Sequence, residues 1–185
     1  MQNDEPCFYG DRIYLKKLCT SEIDDTFMSW FSNEDLMKYY TNSSNKITKD
    51  DIVNHIINGE ISKTNYTYGI YDNFNSKCIG TIKIGTINRA HKISDLVVLI
   101  GDVSYHGKGL ASEAILLGNK IAFDVYDIRK LCGGMYETNT PSINAYTRAG
   151  WIIEGRLKGH YLDGNNQVDR ILVGCFNPKY FKELK

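Results

Sequence analysis

Proline is scarce in this 185-residue chain, with only three residues, and no stretch is rich in glycine and serine. An interdomain linker needs such a stretch, so residues 1–185 read as a single domain. The five cysteines, Cys7, Cys19, Cys78, Cys132 and Cys175, are odd in number and never spaced as C-x-x-C. That argues against a disulfide framework or a zinc site, and no metal is expected. Long apolar runs are missing as well. The longest purely aliphatic run, Leu96 to Ile100, is far too short to span a bilayer. The first residues, Met-Gln-Asn-Asp-Glu, lack a basic and an apolar region, so no secretory signal is expected. Net charge is absent too, with 22 Lys plus Arg against 22 Asp plus Glu. A general nucleic-acid binder would need a basic surplus to neutralise phosphates. The expectation is a cytoplasmic protein with reduced thiols, no membrane and no nucleic-acid partner. A small basic pocket for one anionic ligand stays open.

What is present is a regular alternation of periods. Arg12 to Leu18 alternates apolar and polar residues, as a strand does. Ser21 and Asp24 have capping-box spacing, and Ile23, Phe27, Trp30 and Phe31 follow at helical intervals. A second short helix is expected over Glu34 to Tyr39, and Thr48 with Asp51 opens a third through Ile52, Ile56 and Ile57. Tyr66 to Tyr71 and Cys78 to Ile87 read as an antiparallel hairpin around an Asn-rich turn. Ile93 to Ile100 is nearly continuous in apolar residues, which suits a central strand buried on both faces. A loop over 101–109, a helix over 110–125, a strand over 130–137 and a short helix over 141–149 follow. The last hairpin pairs 151–161 with 168–176 around Asp163-Gly164-Asn165-Asn166. This order gives an α/β domain whose sheet is of mixed direction.

The segment richest in chemistry is LVVLIGDVSYHGKGLASE, Leu96 to Glu113. A buried strand enters a loop holding Gly107 and Gly109, and a helix begins at once. Glycines let backbone approach a ligand closely. The first N–H groups of a helix have no internal partner and sit at the positive end of its dipole, so they receive phosphate well. No G-K-[ST] closes the loop, so it is not a Walker loop, and it is not the G-x-G-x-x-G dinucleotide fingerprint. Alone, a tight strand-to-helix turn would be an equal alternative.

A second segment, Asn139-Thr140-Pro141-Ser142-Ile143-Asn144-Ala145-Tyr146 through Ala149-Gly150-Trp151, follows the next strand. With it, the chain resembles the GNAT superfamily of acyl-CoA-dependent N-acetyltransferases. It looks most like the branch holding ribosomal-protein N-terminal and bacterial sugar-modifying acetyltransferases. The resemblance runs from Gly10-Asp11-Arg12 to about Phe176. His106-Gly107-Lys108-Gly109-Leu110-Ala111 occupies the family's Q/R-x-x-G-x-G/A loop, with His106 departing from the usual Gln or Arg. Asn139, Ser142 and Tyr146 match N-x-x-S-x-x-x-Y. The resemblance implies a single-domain GNAT fold: a mixed, mostly antiparallel central sheet flanked by helices, with splayed central strands. It implies acetyl-CoA as co-substrate. Val98, Leu99 and Ile100 would pair with pantetheine, and His106, Gly107, Lys108, Gly109, Leu110 and Ala111 would hold the pyrophosphate. Asn139 and Ser142 would line the cofactor cleft. Tyr146 would protonate the departing thiolate; outside the motif it would be a packed aromatic.

Acyl transfer needs a neutral amine. Asp95 and Glu137, at strand ends facing the expected split, are the candidate bases, each with a salt-bridged strand-end acid as the plain alternative. A lysine-like amine costs roughly 4–5 kcal/mol to deprotonate at pH 7, and an α-amine near pKa ~8 only about 1–1.5. A modest carboxylate or water relay suffices for the latter and for sugar amines. Trp30, Tyr39 and His160 are the candidate acceptor-binding residues, although such aromatics are often simply core. No cysteine reads as an acyl-enzyme nucleophile, so direct transfer in a ternary complex is expected. The expected partner is a small-molecule amine, with a nucleotide-linked amino sugar first, and a homodimer is possible. The runner-up is the α-amine of a protein N-terminus, ribosomal type, against which a neutral enzyme gains no electrostatic steering. A non-catalytic acyl-CoA-binding module ranks last.

Overall fold

The computed structural model describes residues 6–40 and 47–182. The reading of the first five residues lies outside them. The chain forms β1 (Phe8–Tyr9), β2 (Ile13–Lys17), α1 (Asp25–Phe31), α2 (Glu34–Met37), α3 (Lys49–Ser62), β3 (Tyr66–Asp72), β4 (Cys78–Ile84) and β5 (Ile93–Ile100). Then come α4 (Leu110–Asp124), β6 (Lys130–Tyr136), α5 (Thr140–Arg148), β7 (Ile152–Asp163) and β8 (Asn166–Phe176). Eight strands make one sheet in the order β1-β2-β3-β4-β5-β6-β8-β7. Only β5 and β6 run parallel; the other neighbours are antiparallel.

The local chemistry explains most boundaries. Thr48 and Asp51 form the expected capping box, and the Asp51 amide donates to Thr48 Oγ1 at 3.2 Å. The first helical segment starts differently from the expectation. Thr20–Glu22 turns as a 3-10 segment, and Asp24 rather than Ser21 caps α1, accepting the Phe27 amide at 2.8 Å. Asn33 caps α2, which stops at Met37 rather than Tyr39. Strand β1 is two residues long, too short to show a period in the sequence.

Helices cover both faces. On one, α4 packs across β2, β4 and β5. A Cβ on Gly118 would lie 2.5 Å from Ile82 Cδ1, so the helix rests almost on the sheet. The core there includes Ile13, Leu15, Ile70, Ile82 and Leu96. On the other face α1 and α3 bury Phe27, Trp30 and Ile56 against Leu18 and Leu99. Burying one such large side chain contributes roughly 1.5–3 kcal/mol. Strand β5 is not buried on both faces as expected. Ser94, Leu96 and Leu99 are buried, Val97, Val98 and Ile100 are half-buried, and Asp95 keeps part of its surface open to solvent. Among the described residues, no helix is long and apolar enough to cross a membrane, and no group of three or more metal-ligating side chains could hold an ion.

Candidate active site

The site begins where two strands part. β5 and β6 pair only through Ile93, Ser94 and Asp95 with Lys130, Leu131 and Cys132. Beyond that point β5 keeps its partner β4 and β6 keeps β8, so a split opens between them. One edge of β5 is left without a strand. The Leu96 carbonyl faces that edge and accepts the Tyr146 hydroxyl at 2.7 Å, and the Val98 amide bonds to the same hydroxyl. Alternation then turns the backbone of Val98 and Ile100 to the split and that of Leu99 to β4. Leu99 therefore serves the other face, where its side chain is buried with Phe27 and Trp30.

Tyr146 is placed by a chain of contacts. Asn139 caps α5, accepting the Ser142 amide at 3.3 Å, and Pro141 stands in its first turn. The two motif residues thus fix the start of the helix that carries the tyrosine. At its other end Trp151 donates to buried Asn119 Oδ1 at 3.0 Å, and Asn119 donates to the Ala149 carbonyl at 3.1 Å. The Tyr146 ring stands edge-on to Trp151 at 4.9 Å. Burial pushes the phenol well above its ordinary range, helped by the neighbouring hydroxyl of Tyr40 and by Asp95. It stays protonated at any physiological pH.

At the tip of β5 the loop offers an anion site. Four of the five α-helices described take a side-chain N-cap, from Asp24, Asn33, Thr48 and Asn139. Helix α4 takes none. Its N-cap is Gly109 in the left-handed region, φ 75°, so its first amides are left for a ligand. Gly107 is also left-handed, φ 72°, with open space where a Cβ would be. Arg12 braces the loop, pairing with Glu113 at 2.8 Å and donating to the Lys108 carbonyl at 2.7 Å. His106 turns its ring back to the Ile100 carbonyl, 2.8 Å from Nε2, so its side chain ties the loop to the strand. The free amides of Leu110 and Ala111 fit a diphosphate, as the acetyl-CoA expectation requires.

The opposite face holds a cavity of about 500 Å³ under α1 and α3, lined in part by Phe27, Phe31, Tyr40, His55, Lys83 and Val97. Tyr40, which lines it, is also an electrostatic neighbour of Tyr146. Burial pushes the Tyr40 phenol up to about 12. Asp95 is the carboxylate at the split. Partial burial raises its pKa, while Lys83 and Arg170 pull it back. Arg170 lies flat on β6, where a Cβ on Gly134 would come within 2.2 Å of its Nε. That Nε is buried with no hydrogen-bond partner among the described residues.

Other expected residues are engaged elsewhere. Glu137 is ion-paired to Arg156 and accepts the Asp169 amide at 3.3 Å. Arg156 also pairs with Asp169, which accepts the Gly159 amide at 2.7 Å and is held below the usual carboxylate range by these bonds. This network pins the irregular part of β7, so Glu137 takes the strand-end alternative and anchors the hairpin. Trp30 is 5% exposed, and a Cβ on Gly101 would strike its ring at 2.0 Å. It anchors α1 to the end of β5 and does not face the cavity. Tyr39 donates to the Thr138 carbonyl at 3.2 Å, bridging the first helices to the loop after β6. His160 is exposed, edge-on to Tyr161 and 3.4 Å from Arg170 Nη1. Burial raises the Cys132 thiol, which makes it a poor nucleophile. The sequence reading missed Lys83 and Arg170. The adjacent Gly133-Gly134 inside a strand was the available signal for a close approach.

Comparison with known proteins agrees with this geometry. Residues 12–152 match the family model described as the acetyltransferase (GNAT) domain. Spermidine N(1)-acetyltransferase of Escherichia coli K12 is 27% identical over 106 residues, 57% of this chain. The match spans 56% of that enzyme, little more than half its length. Two solved structures share the fold. Spermidine N-acetyltransferase from Vibrio cholerae, in complex with CoA and spermine, superposes with TM-score 0.81 at 17% identity, covering 93% of this chain and 99% of that one. Ribosomal-protein-S5-alanine acetyltransferase from Vibrio fischeri gives 0.80 at 17% identity, with 95% and 99% covered.

Proposed function

The chain belongs to the GNAT acetyltransferase family, and from that premise we propose that it is an acetyl-CoA-dependent N-acetyltransferase of a small primary amine. The observation that carries this reading is the Tyr146 hydroxyl, held at the open edge of β5 between an uncapped helix N-terminus and the cavity on the opposite face. Acetyl-CoA supplies the acetyl thioester. The amides opening α4 hold its diphosphate, and the free edge of β5 offers backbone pairing beside the reacting carbonyl. Asp95 takes the proton from the amine, directly or through water. The new N–C bond forms as the C–S bond breaks, and Tyr146 gives its proton to the leaving sulfur. The products are an amide and free CoA thiol.

The cavity volume is that of a small-molecule site. Within that class a nucleotide-linked amino sugar is the first acceptor to test, because its amine is weakly basic and Phe27, Phe31 and Tyr40 offer ring faces. A protein N-terminus is the second. Thiol release from acetyl-CoA, measured against amino sugars, peptides and polyamines, tests the reading. Turnover that falls when Tyr146 is replaced by Phe supports it. Failure to bind acetyl-CoA overturns it.

A further inference from the structure

The acceptor cavity carries one cation that has no ion pair among the described residues. Lys83 sits half-buried on β4, on a wall that also holds Phe27, Val97 and Leu99 beside the polar Thr67 and Thr81. Other surface lysines take a nearby carboxylate: Lys77 pairs with Asp102 at 2.6 Å, and Lys130 with Glu154 at 2.6 Å. Lys83 has no ion pair among the described residues. Asp51 also lines the cavity; it accepts the Thr48 amide at 2.9 Å and its hydroxyl at 2.6 Å, keeps its charge, and forms no ion pair with Lys83. Asp95 is one strand over and two residues along from Val97, the register partner of Lys83. Such diagonal positions lie about 7–8 Å apart. On its far side Asp95 meets Arg170, which likewise has no carboxylate within ion-pairing distance among the described residues.

Two cations, Lys83 and Arg170, therefore flank Asp95 from its two sides. A bound polyamine would bring an extra positive charge against Lys83. An acceptor carrying one anionic group would give Lys83 the partner it lacks. His55, also on the cavity wall, is held below the usual histidine range by burial and by the Lys83 charge. It stands as a neutral hydrogen-bonding group beside the lysine, not as a third cation.

We propose that the acceptor is an amphiphilic amine with an apolar body and one compact oxyanion, a carboxylate or a phosphate, and that Lys83 binds this oxyanion while Asp95 faces the amine. The proposal rests on the acetyltransferase reading and narrows its substrate class, moving the acceptor away from the nucleotide-linked amino sugar, whose body is polar. It makes Lys83 a specificity-determining residue for this chain.

The test uses the full-length protein saturated with CoA. Calorimetry measures the binding of an arylalkyl amine, its α-carboxylate analogue, its phosphonate analogue and spermidine, to wild type and to Lys83→Met. Thiol release from acetyl-CoA is followed with the same four amines. The expected result is binding of one or both anionic amines at least about tenfold tighter than the neutral amine and spermidine. That preference is lost in Lys83→Met through KM, with acetyl-CoA affinity held. The stronger of the two anionic amines says whether carboxylate or phosphate is read. Lys83→Glu should turn the preference toward spermidine. Equal or better binding of spermidine by wild type overturns the proposal, as does a Lys83→Met protein that keeps the preference. So does binding of no anionic amine to a protein that still binds acetyl-CoA, an outcome that leaves the acetyltransferase reading standing. Absence of acetyl-CoA binding overturns both.

Discussion

Replacing Tyr146 with Phe removes one oxygen and tests two separate consequences of its position. The hydroxyl donates to the Leu96 carbonyl and is bonded to the Val98 amide, inside a side chain that is 5% exposed. Without it, two backbone groups at the edge of β5 lose their partner. A buried polar group left unpaired costs about 1–3 kcal/mol. For the pair the cost is about 2–6 kcal/mol in total. In a domain of this size Tm falls by roughly 2–4 °C per kcal/mol, so a loss of about 4–24 °C is expected. Loss of a general acid should lower kcat by a factor on the order of 10² to 10⁴. Acetyl-CoA affinity, set mainly by the α4 amides, should change by less than about threefold. Melting, acetyl-CoA titration and thiol release separate the three quantities. Because burial holds the phenol above its ordinary range, wild-type kcat should show no fall from Tyr146 below pH ~10. A variant with kcat within about threefold of wild type would refute the role of the acid. An alkaline fall near pH ~8–9 that the substitution abolishes would refute the raised pKa.

Asp95→Asn should lower kcat/KM on the order of 10- to 10³-fold, yet raise Tm at neutral pH. The sign follows from a folded-state pKa above the unfolded one: ionising Asp95 costs stability above its folded pKa, and that cost vanishes below the unfolded value, so the Tm advantage shrinks toward pH ~4. Asp102 behaves oppositely. Lys77 and Ser104 hold it down at about 2, so its contribution is full above the ordinary carboxylate pKa and is lost as pH falls through about 2; the Tm gap between wild type and Asp102→Asn should stay constant from pH 6 to about pH 4.5 and narrow below about pH 4. Gly109→Val places a β-branched residue at φ 75°, costing about 1–2 kcal/mol of strain and weakening acetyl-CoA binding at least about tenfold by titration. Trp30→Ala should cost about 3–5 kcal/mol in chemical denaturation, while Trp30→Phe, which keeps the packing on Phe27 and Gly101, should leave the acceptor KM within about twofold.

How far the sequence could be read depends on the range of the interaction. The β5–loop–α4 unit was legible because a buried strand, two glycines and a 3.6-residue period are adjacent in the chain. The Thr48–Asp51 box was legible for the same reason. Ser21–Asp24 fits the same pattern, but Glu22 turns back to the Cys19 amide at 3.0 Å and leaves the cap to Asp24. Two local solutions competed there, and spacing alone does not rank them. Trp30 and Glu137 carried the right chemistry for a site, and their partners, Gly101 and Arg156, are 71 and 19 residues away. Lys83 and Arg170 were invisible for the complementary reason. What makes them significant is the absence of a partner, and a missing contact leaves no pattern in a sequence.

The placement of Asp95 beside Leu96 has a consequence that packing alone does not require. Side chains alternate along a strand, so neighbours must face opposite sides of the sheet. The Leu96 side chain meets α4 near Gly118, which turns Asp95 to the side of the acceptor cavity. The Leu96 carbonyl, in the plane of the sheet, receives the Tyr146 hydroxyl from α5. The proposed base and acid thus stand at successive residues of β5, the base from the cavity face and the acid from the edge, at the point where β6 departs. Were β6 to stay paired for two more residues, its backbone would occupy the position of that hydroxyl. Glu137 stands at the other end of the departing strand and is held by Arg156, away from this point. The end of the β5–β6 pairing after Asp95 and Cys132 is therefore what makes Asp95, and not Glu137, the carboxylate of the proposed reaction.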